Sequence, residues 1–375
     1  MMPRSMALSA RVWSNRLLGR PRIDAPLLLA LLGVASIGLV VLYSASDGHA
    51  VTVMKQALRL GIGFLAFWVA SRVPVQMLRA WTPGLFGLSF VLLAAVLVVG
   101  SESQGAQRWL DLGITRFQPS ELMKLTLPMM VAWFFHSRPL PPGWLDSLSA
   151  LALTAVPCAL IVIQPDLGTA VLIAASGCFV LFLAGLRWSI IATIAATLAA
   201  AAPLAWLYFL HDYQKRRILT FLSPEEDPLG SGWNIIQSKI AVGSGGLFGK
   251  GWLNGTQSHL EFLPERSTDF ILAVFAEEFG LVGVVGLLAL YLFITGRGLW
   301  IATNARDTFS RLLAGALSLT FSVYVVVNTA MVSGLLPVVG VPLPLVSYGG
   351  TSAVTLLAGF GILAAIANDR RLLRA

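Results

Sequence analysis

Five charged side chains crowd into FLPERSTDFILAVFAEE, residues 262–278. Glu265, Arg266 and Asp269 stand just before an apolar run, and Glu277 and Glu278 lie inside it. Only 12% of the chain is charged, and charge in a membrane-like segment is costly unless it has a partner or a task. A carboxylate at the rim of a polar cavity, with cations nearby, can take a proton from a hydroxyl nucleophile. Asp269 stands where such a general base would. The same position also suits an N-cap carboxylate that complements the helix dipole, and the residues alone leave both open. Read as one continuous helix, Glu277 falls about 12 Å below Asp269 and within roughly 80° of its face, with Glu278 turned nearly opposite.

Further candidates gather in four other stretches. In QPSELMK (118–124), Glu121 and Lys124 are three apart and share a helix face. They form either a structural tie between helices or a cation facing a lipid phosphate. QPSE and QPDLGT (164–169) each open an apolar run with proline in or near the first helical turn, where Ser120 or Asp166 can cap free amides. In the long polar segment, Trp233, Ile236 and Ile240 recur at helical spacing with Lys239 near the opposite face, the pattern of a short helix lying on a membrane surface. GSGGLFGKG (243–251) could cradle a phosphate, but it lacks the Walker spacing and reads better as a turn. The fourth stretch, PVVGVPLPLVSYGGTS (337–352), lies between two apolar runs.

The elements that carry these residues follow from composition. The chain is 57% hydrophobic with a mean hydropathy of +0.79, far above a soluble globular protein and typical of a polytopic membrane protein. A span needs roughly 20 apolar residues, and ten are expected. They fall at 25–45, 52–71, 83–100, 120–136, 147–163, 168–186, 189–210, 269–295, 310–332 and 351–367. The expected fold is thus an all-α polytopic membrane protein, a single transmembrane domain over 1–375. Its long extracytoplasmic loop, 211–268, falls between spans 7 and 8 and carries short amphipathic helices. Arginines at 4–22, 72, 79, 138, 187, 297, 306, 311 and 370–374 fall on one side, against Lys55, Arg108 and Arg116 in the short loops opposite. The positive-inside rule makes 1–24 and 368–375 cytoplasmic tails. The pI near 9.9 is then largely topology, and no nucleic-acid partner is needed. Cys158 and Cys178 lie in apolar runs and read as small packing residues. Four scattered histidines without an HExxH pattern exclude a dedicated zinc site. The polar motifs all fall on the outer side, which places the chemistry there.

GAQRW, QPSELMK, QPDLGTA, the run from DPLGSGWNII to LPERSTDF, and GVPLPLVSYGG together resemble the SEDS family (shape, elongation, division and sporulation). The likeness covers roughly residues 25–370, and the long-loop motifs are closer to the elongation branch than to the division branch. It implies a peptidoglycan glycosyltransferase of the bacterial cytoplasmic membrane that polymerises lipid II during cell elongation. The family's catalytic Asp matches Asp269, and its Glu and Lys match Glu121 and Lys124. The residue before the TDF motif is often His in this family and is Ser267 here. On that reading Arg108, Lys124, Lys239 and Arg266 are the cations for the lipid pyrophosphate. Glu121, Asp166, Glu265 and Glu277 form a supporting polar network. A divalent cation, magnesium or manganese, is the one cofactor left open. Implied partners are lipid II, the nascent lipid-linked glycan, a class B penicillin-binding protein as transpeptidase and other elongation-complex membrane proteins. The competing readings are a lipid II flippase and a pure scaffold for such partners. Polar residues confined to the outer side favour an enzyme over a flippase.

Overall fold

The computed structural model describes residues 24–103, 106–111, 116–209, 212–226, 231–256 and 265–371. The expected tails, apart from Asp24 and 368–371, and loop residues 227–230 and 257–264 lie outside the described residues. In chain order the helices are α1 (Ala25–Ala45), α2 (Ala50–Arg72), α3 (Val75–Val99), α4 (Pro119–Phe135), α5 (Trp144–Ile163), α6 (Leu167–Leu183) and α7 (Trp188–Leu204), then α8 (Asp212–Leu222), α9 (Ser231–Ser244), α10 (Ile271–Thr303), α11 (Thr308–Val332) and α12 (Thr351–Arg371). Eight of the helical segments are long and apolar enough to cross a membrane, and α6 is a shorter apolar helix. Helix α4 carries Glu121 and Lys124 in its first two turns and has 17 residues, about 25 Å of helix.

The interior is one packed cluster in which Phe67, Phe135, Phe309 and Phe321 are almost wholly enclosed. Outward-facing Leu29, Met54, Val98, Leu145 and Leu292 are exposed, the surface that lipid rather than water would cover. One end of the bundle is closed by ion pairs. Arg297 grips Asp24, the N-cap of α1, through Nε at 3.0 Å and Nη2 at 2.8 Å. Arg138 pairs with Asp146, and Arg306 reaches Asp369 at 3.9 Å.

Two features depart from the sequence reading. The segment between α3 and α4 is not helical or irregular. It folds as a small antiparallel sheet, β1 (Ser101–Ser103), β2 (Ala106–Asp111) and β3 (Arg116–Phe117), in the order β1-β2-β3. Pairing of Glu102 with Gln107 and of Leu110 with Phe117 sets its register. The six residues AQRWLD show no apolar–polar alternation and are too short a run to stand out beside flanking helices, so the all-α expectation missed the sheet.

The second departure concerns α10. Its backbone breaks at Gly280 (φ 65°, ψ −168°), and the Glu278 carboxylate accepts a hydrogen bond from Ser44, the penultimate residue of α1. Glu278 therefore sits near the end of the bundle where α1 terminates rather than midway down a span. The turns before the break, 271–279, are sheathed by the loop that follows α9. Amides of Lys250 and Gly251 donate to the carbonyls of Glu277 and Glu278, each at 3.0 Å. Amides of Leu281 and Val282 donate back to Gly246 and Leu247 at 2.9 and 3.1 Å. Gly249 (φ +81°) lies so close that a Cβ there would stand 2.1 Å from the Glu278 carbonyl oxygen. The glycines of GSGGLFGKG thus allow main chain to touch main chain.

Candidate active site

Asp269 lies in a turn, 265–270, ahead of α10. The helix is capped by Phe270 without any side-chain hydrogen bond, so Asp269 does not act as the N-cap. Its carboxylate is half-buried and makes no hydrogen bond among the described residues. Burial, with the Glu265 carboxylate second, pushes its pKa up to about 6, against the pull of Arg217. Desolvation and a like charge both disfavour the ionised form, which brings this carboxyl toward the range where a general base operates near neutral pH. Glu265 is itself engaged, accepting from the Thr268 hydroxyl at 2.5 Å.

The connector between α11 and α12, residues 333–350, is the hub of the site. A Cβ on Gly340 (φ +74°) would lie 3.6 Å from Oδ2 of Asp269. On its other side, a Cβ on Gly168, in the first turn of α6, would lie 2.6 Å from the Val339 carbonyl. Asp166 caps α6 by accepting from the Thr169 amide at 3.3 Å, as the motif predicts. It also takes a hydrogen bond from Gln118 at 3.3 Å and stands 3.8 Å from Arg108 on β2. Arg108 donates as well to the carbonyls of Gln164 and Pro165. Ser120 does not cap α4; its hydroxyl is buried without a partner.

Glu121 and Lys124 do pair, at 2.6 Å, both largely enclosed. Lys124 Nζ also lies 5.4 Å from the centre of the Tyr324 ring on α11. Four residues further along α11, on the same face, Asn328 donates to the Asp269 carbonyl at 2.9 Å. One helical turn, about 6 Å along the axis, therefore separates the level of the Lys124 cation from that of the Asp269 backbone. Glu121 Oε2, Thr320 Oγ1 and Asn328 Oδ1 in this region are buried without a hydrogen-bond partner among the described residues. Lys124, Thr320, Tyr324 and Thr355 line a small cleft whose remaining walls come from apolar residues of α4, α11 and α12.

The other candidates lie around this centre. Lys239 is exposed on α9 and packs against the start of the connector, where Gly334 has no room for a Cβ beside its chain. The expected apolar stripe Trp233, Ile236 and Ile240 is left partly or wholly uncovered, while Ile235, Ser238 and Ala241 face inward. Arg266 is held by Asp47 in the turn between α1 and α2. Glu277 is a correction. It does not share a face with Asp269, because the turn at 265–270 breaks the continuous helix on which that geometry depended. Its carboxylate is fully buried and accepts from Lys250 Nζ at 2.7 Å, from the Thr256 amide and hydroxyl at 2.8 and 2.9 Å, and from Ser244 at 3.4 Å. Among the described residues no group of three or more His, Cys, Asp or Glu side chains is arranged to hold a metal ion.

Several residues near Asp269 were not anticipated. Arg217 belongs to α8, whose strongly amphipathic DYQKRRILTFL was the available signal. Asn328, Tyr324 and Ser347 gave no signal beyond being polar in apolar surroundings. Arg59 of α2 stacks over the Tyr348 ring at 4.5 Å.

A family model described as cell cycle protein, covering FtsW, RodA and SpoVE, matches residues 24–372. The chain belongs to the SEDS family. This SEDS protein is 51% identical over 352 residues to the peptidoglycan glycosyltransferase MrdB of Escherichia coli (strain K12), across 94% of this chain and 95% of that one. Among solved structures it is similar to a chain from a peptidoglycan synthase complex that coordinates polymerization and crosslinking, with a TM-score of 0.81 and 37% identity. It is also similar to the rod shape determining protein RodA of Thermus thermophilus, with a TM-score of 0.71 and 32% identity. Each alignment covers 93% of this SEDS protein and 98% of the other chain.

Proposed function

We propose that this SEDS protein polymerises lipid II with Asp269 as general base. The chain is a peptidoglycan glycosyltransferase of the cell-shape, elongation type. In the proposed step the 4-hydroxyl of the acceptor's terminal GlcNAc attacks C1 of the donor sugar. The C1–O bond to the lipid pyrophosphate breaks as the new glycosidic bond forms. The hydroxyl proton passes to Asp269, and the pyrophosphate leaves with the bonding pair. Attack opposite the leaving group inverts C1; the neighbouring Glu265 carboxylate is occupied by the Thr268 hydroxyl.

The observation that carries this reading is the state of the Asp269 carboxylate: half-buried, without hydrogen bonds among the described residues, and raised to about 6. Negative charge developing on the pyrophosphate needs preorganised cations. Lys124 stands beside Tyr324 of α11 and Arg108 beside Asp166, Lys239 borders the start of the connector, Arg266 pairs with Asp47, and the charge of Arg217 acts on Asp269.

The remaining topology follows from the same site. Ten spans place α1–α7 and α10–α12 across the bilayer, with α8 and α9 on the outer surface. The arginine-rich end, closed by the Arg297–Asp24, Arg138–Asp146 and Arg306–Asp369 pairs, faces the cytoplasm together with both termini. A class B penicillin-binding protein is the proposed partner; the likeness to a chain of a polymerising and crosslinking complex supports this.

The test is polymerisation of labelled lipid II by purified protein with its transpeptidase partner. Asp269→Asn is expected to fold in the membrane and to lose polymer formation by at least about 100-fold. Normal polymer from that variant would overturn the assignment, and lipid transport without polymer would favour a flippase.

A further inference from the structure

PVVGVPLPLV contains no charged residue and the whole connector no acid or base beyond Tyr348, so it supplies no proton acceptor or cation to the reaction. Its hydrogen bonds point elsewhere. Three successive main-chain carbonyls, those of Ser267, Thr268 and Asp269, are each held from the α11–connector side. The Tyr348 amide donates to Ser267 at 2.9 Å, the Ser347 hydroxyl to Thr268 at 2.6 Å, and the Asn328 carboxamide to Asp269 at 2.9 Å.

The chemistry of the two side-chain donors fixes their orientation. Ser347 accepts from the Leu343 amide at 2.8 Å, so its single proton is free to go to Thr268. Asn328 donates its second N–H to the Val341 carbonyl at 2.8 Å. Both of its partners are carbonyl oxygens, and only the NH2 end of the amide can satisfy them. Both side chains are buried, Asn328 at 0% and Ser347 at 4% exposure, and the Asn328 Oδ1 has no hydrogen-bond partner among the described residues. Behind them Gln56 of α2 donates to the carbonyls of Ser347 and Gly349 at 3.3 and 3.4 Å and accepts from the Gly349 amide at 3.3 Å. The main chain that carries Asp269 is thus registered against α2 and α11 through donors aimed at its backbone, leaving its carboxylate clear.

We propose that Asn328 and Ser347 are positioning residues for Asp269, setting the direction of its carboxylate toward the acceptor hydroxyl without touching substrate. The inference rests on Asp269 being the general base. Displacing a catalytic group by about 1 Å can cost about 100-fold in rate, while a residue that does not touch substrate leaves its binding alone.

The experiment is steady-state polymerisation by the purified protein with its transpeptidase partner, for Ser347→Ala, Ser347→Thr, Asn328→Ala, Asp269→Asn and the double variant Ser347→Ala/Asp269→Asn. Thermal unfolding in detergent is measured alongside. Ser347→Ala is expected to lower kcat about 10- to 100-fold with the KM for lipid II within about twofold. Ser347→Thr, which keeps the hydroxyl, recovers most of that loss. The double variant is no worse than Asp269→Asn alone. Asn328→Ala behaves like Ser347→Ala where it folds, and the serine pair decides the matter where it does not. An inactive Asp269→Asn beside a Ser347→Ala of normal kcat overturns the positioning role and leaves the base intact. A raised KM at unchanged kcat in Ser347→Ala also overturns it, because the residue would then contact lipid II. An active Asp269→Asn overturns the base assignment itself, which is a separate result.

Discussion

Asp269 and Glu277 stand eight residues apart and are treated in opposite ways by the chain around them. The Glu277 carboxylate is fully enclosed and accepts from Lys250, Ser244 and both donors of Thr256. The Asp269 carboxylate is half-buried and receives no hydrogen bond among the described residues; the bonds of its segment go to its main chain instead. A buried charge paired with a lysine and held by several further donors is a fastening, and it resists any reaction that would consume its charge. A carboxylate held through its backbone, with its own oxygens spare, has capacity left for a substrate proton. Occupancy of the carboxylate oxygens separates the two, although both are acids in the same apolar stretch.

The largest expected effect falls on the Glu277 side. Lys250→Met leaves Glu277 buried without its cation and should cost about 3–5 kcal/mol of stability, read as a lower thermal unfolding midpoint in detergent. Adding Glu277→Gln should recover part of it, because a neutral amide can still accept from Thr256. A harmless Lys250→Met would remove the contrast altogether. Next comes Gly249→Ala, where a Cβ must enter a left-handed backbone 2.1 Å from a carbonyl oxygen; about 1–3 kcal/mol is expected, by the same measurement.

Smaller effects belong to Asp269. Polymerisation should fall as pH drops through about 6, as the base becomes protonated, and a flat profile between pH 5 and pH 7 would break the link between its burial and its task. Stability runs the other way. A folded pKa above the unfolded one means that the native state holds the extra proton, so this group's contribution is full below its unfolded pKa and is lost as pH rises through about 6. Asp269→Asn should therefore leave the unfolding midpoint at neutral pH unchanged or slightly raised. A clear drop would show that the carboxylate is structural after all.

Much of this arrangement could be read from the residues because it depends on local spacing. The apolar runs located the helices, although α3 begins at Val75 and α10 runs to Thr303, each well beyond its expected span; three-residue spacing gave the Glu121–Lys124 pair, and the QPD motif gave the Asp166 cap. What escaped the reading depends on distant partners. Lys250 lies 27 residues from the glutamate it neutralises, and Gln56 lies 291 residues from Ser347. Periodicity assumed one helix from Asp269 to Glu277, whereas Asp269 lies in a turn and the helix begins only at Ile271. Asn328 and Ser347 carry no charge, and a neutral donor in an apolar run is silent until its acceptor is known. The strand β2 was hidden because its six residues, AQRWLD, do not alternate apolar with polar and are few beside the long apolar runs around them.

The grip on three successive carbonyls has one more consequence. It reads no side chain at positions 267 and 268, only the peptide oxygens that every amino acid brings. The scaffold beneath Ser267 asks for nothing that a serine side chain uniquely has. Position 267 is thus a place where evolution can add or delete a functional group next to the base without rebuilding the machine that aims it.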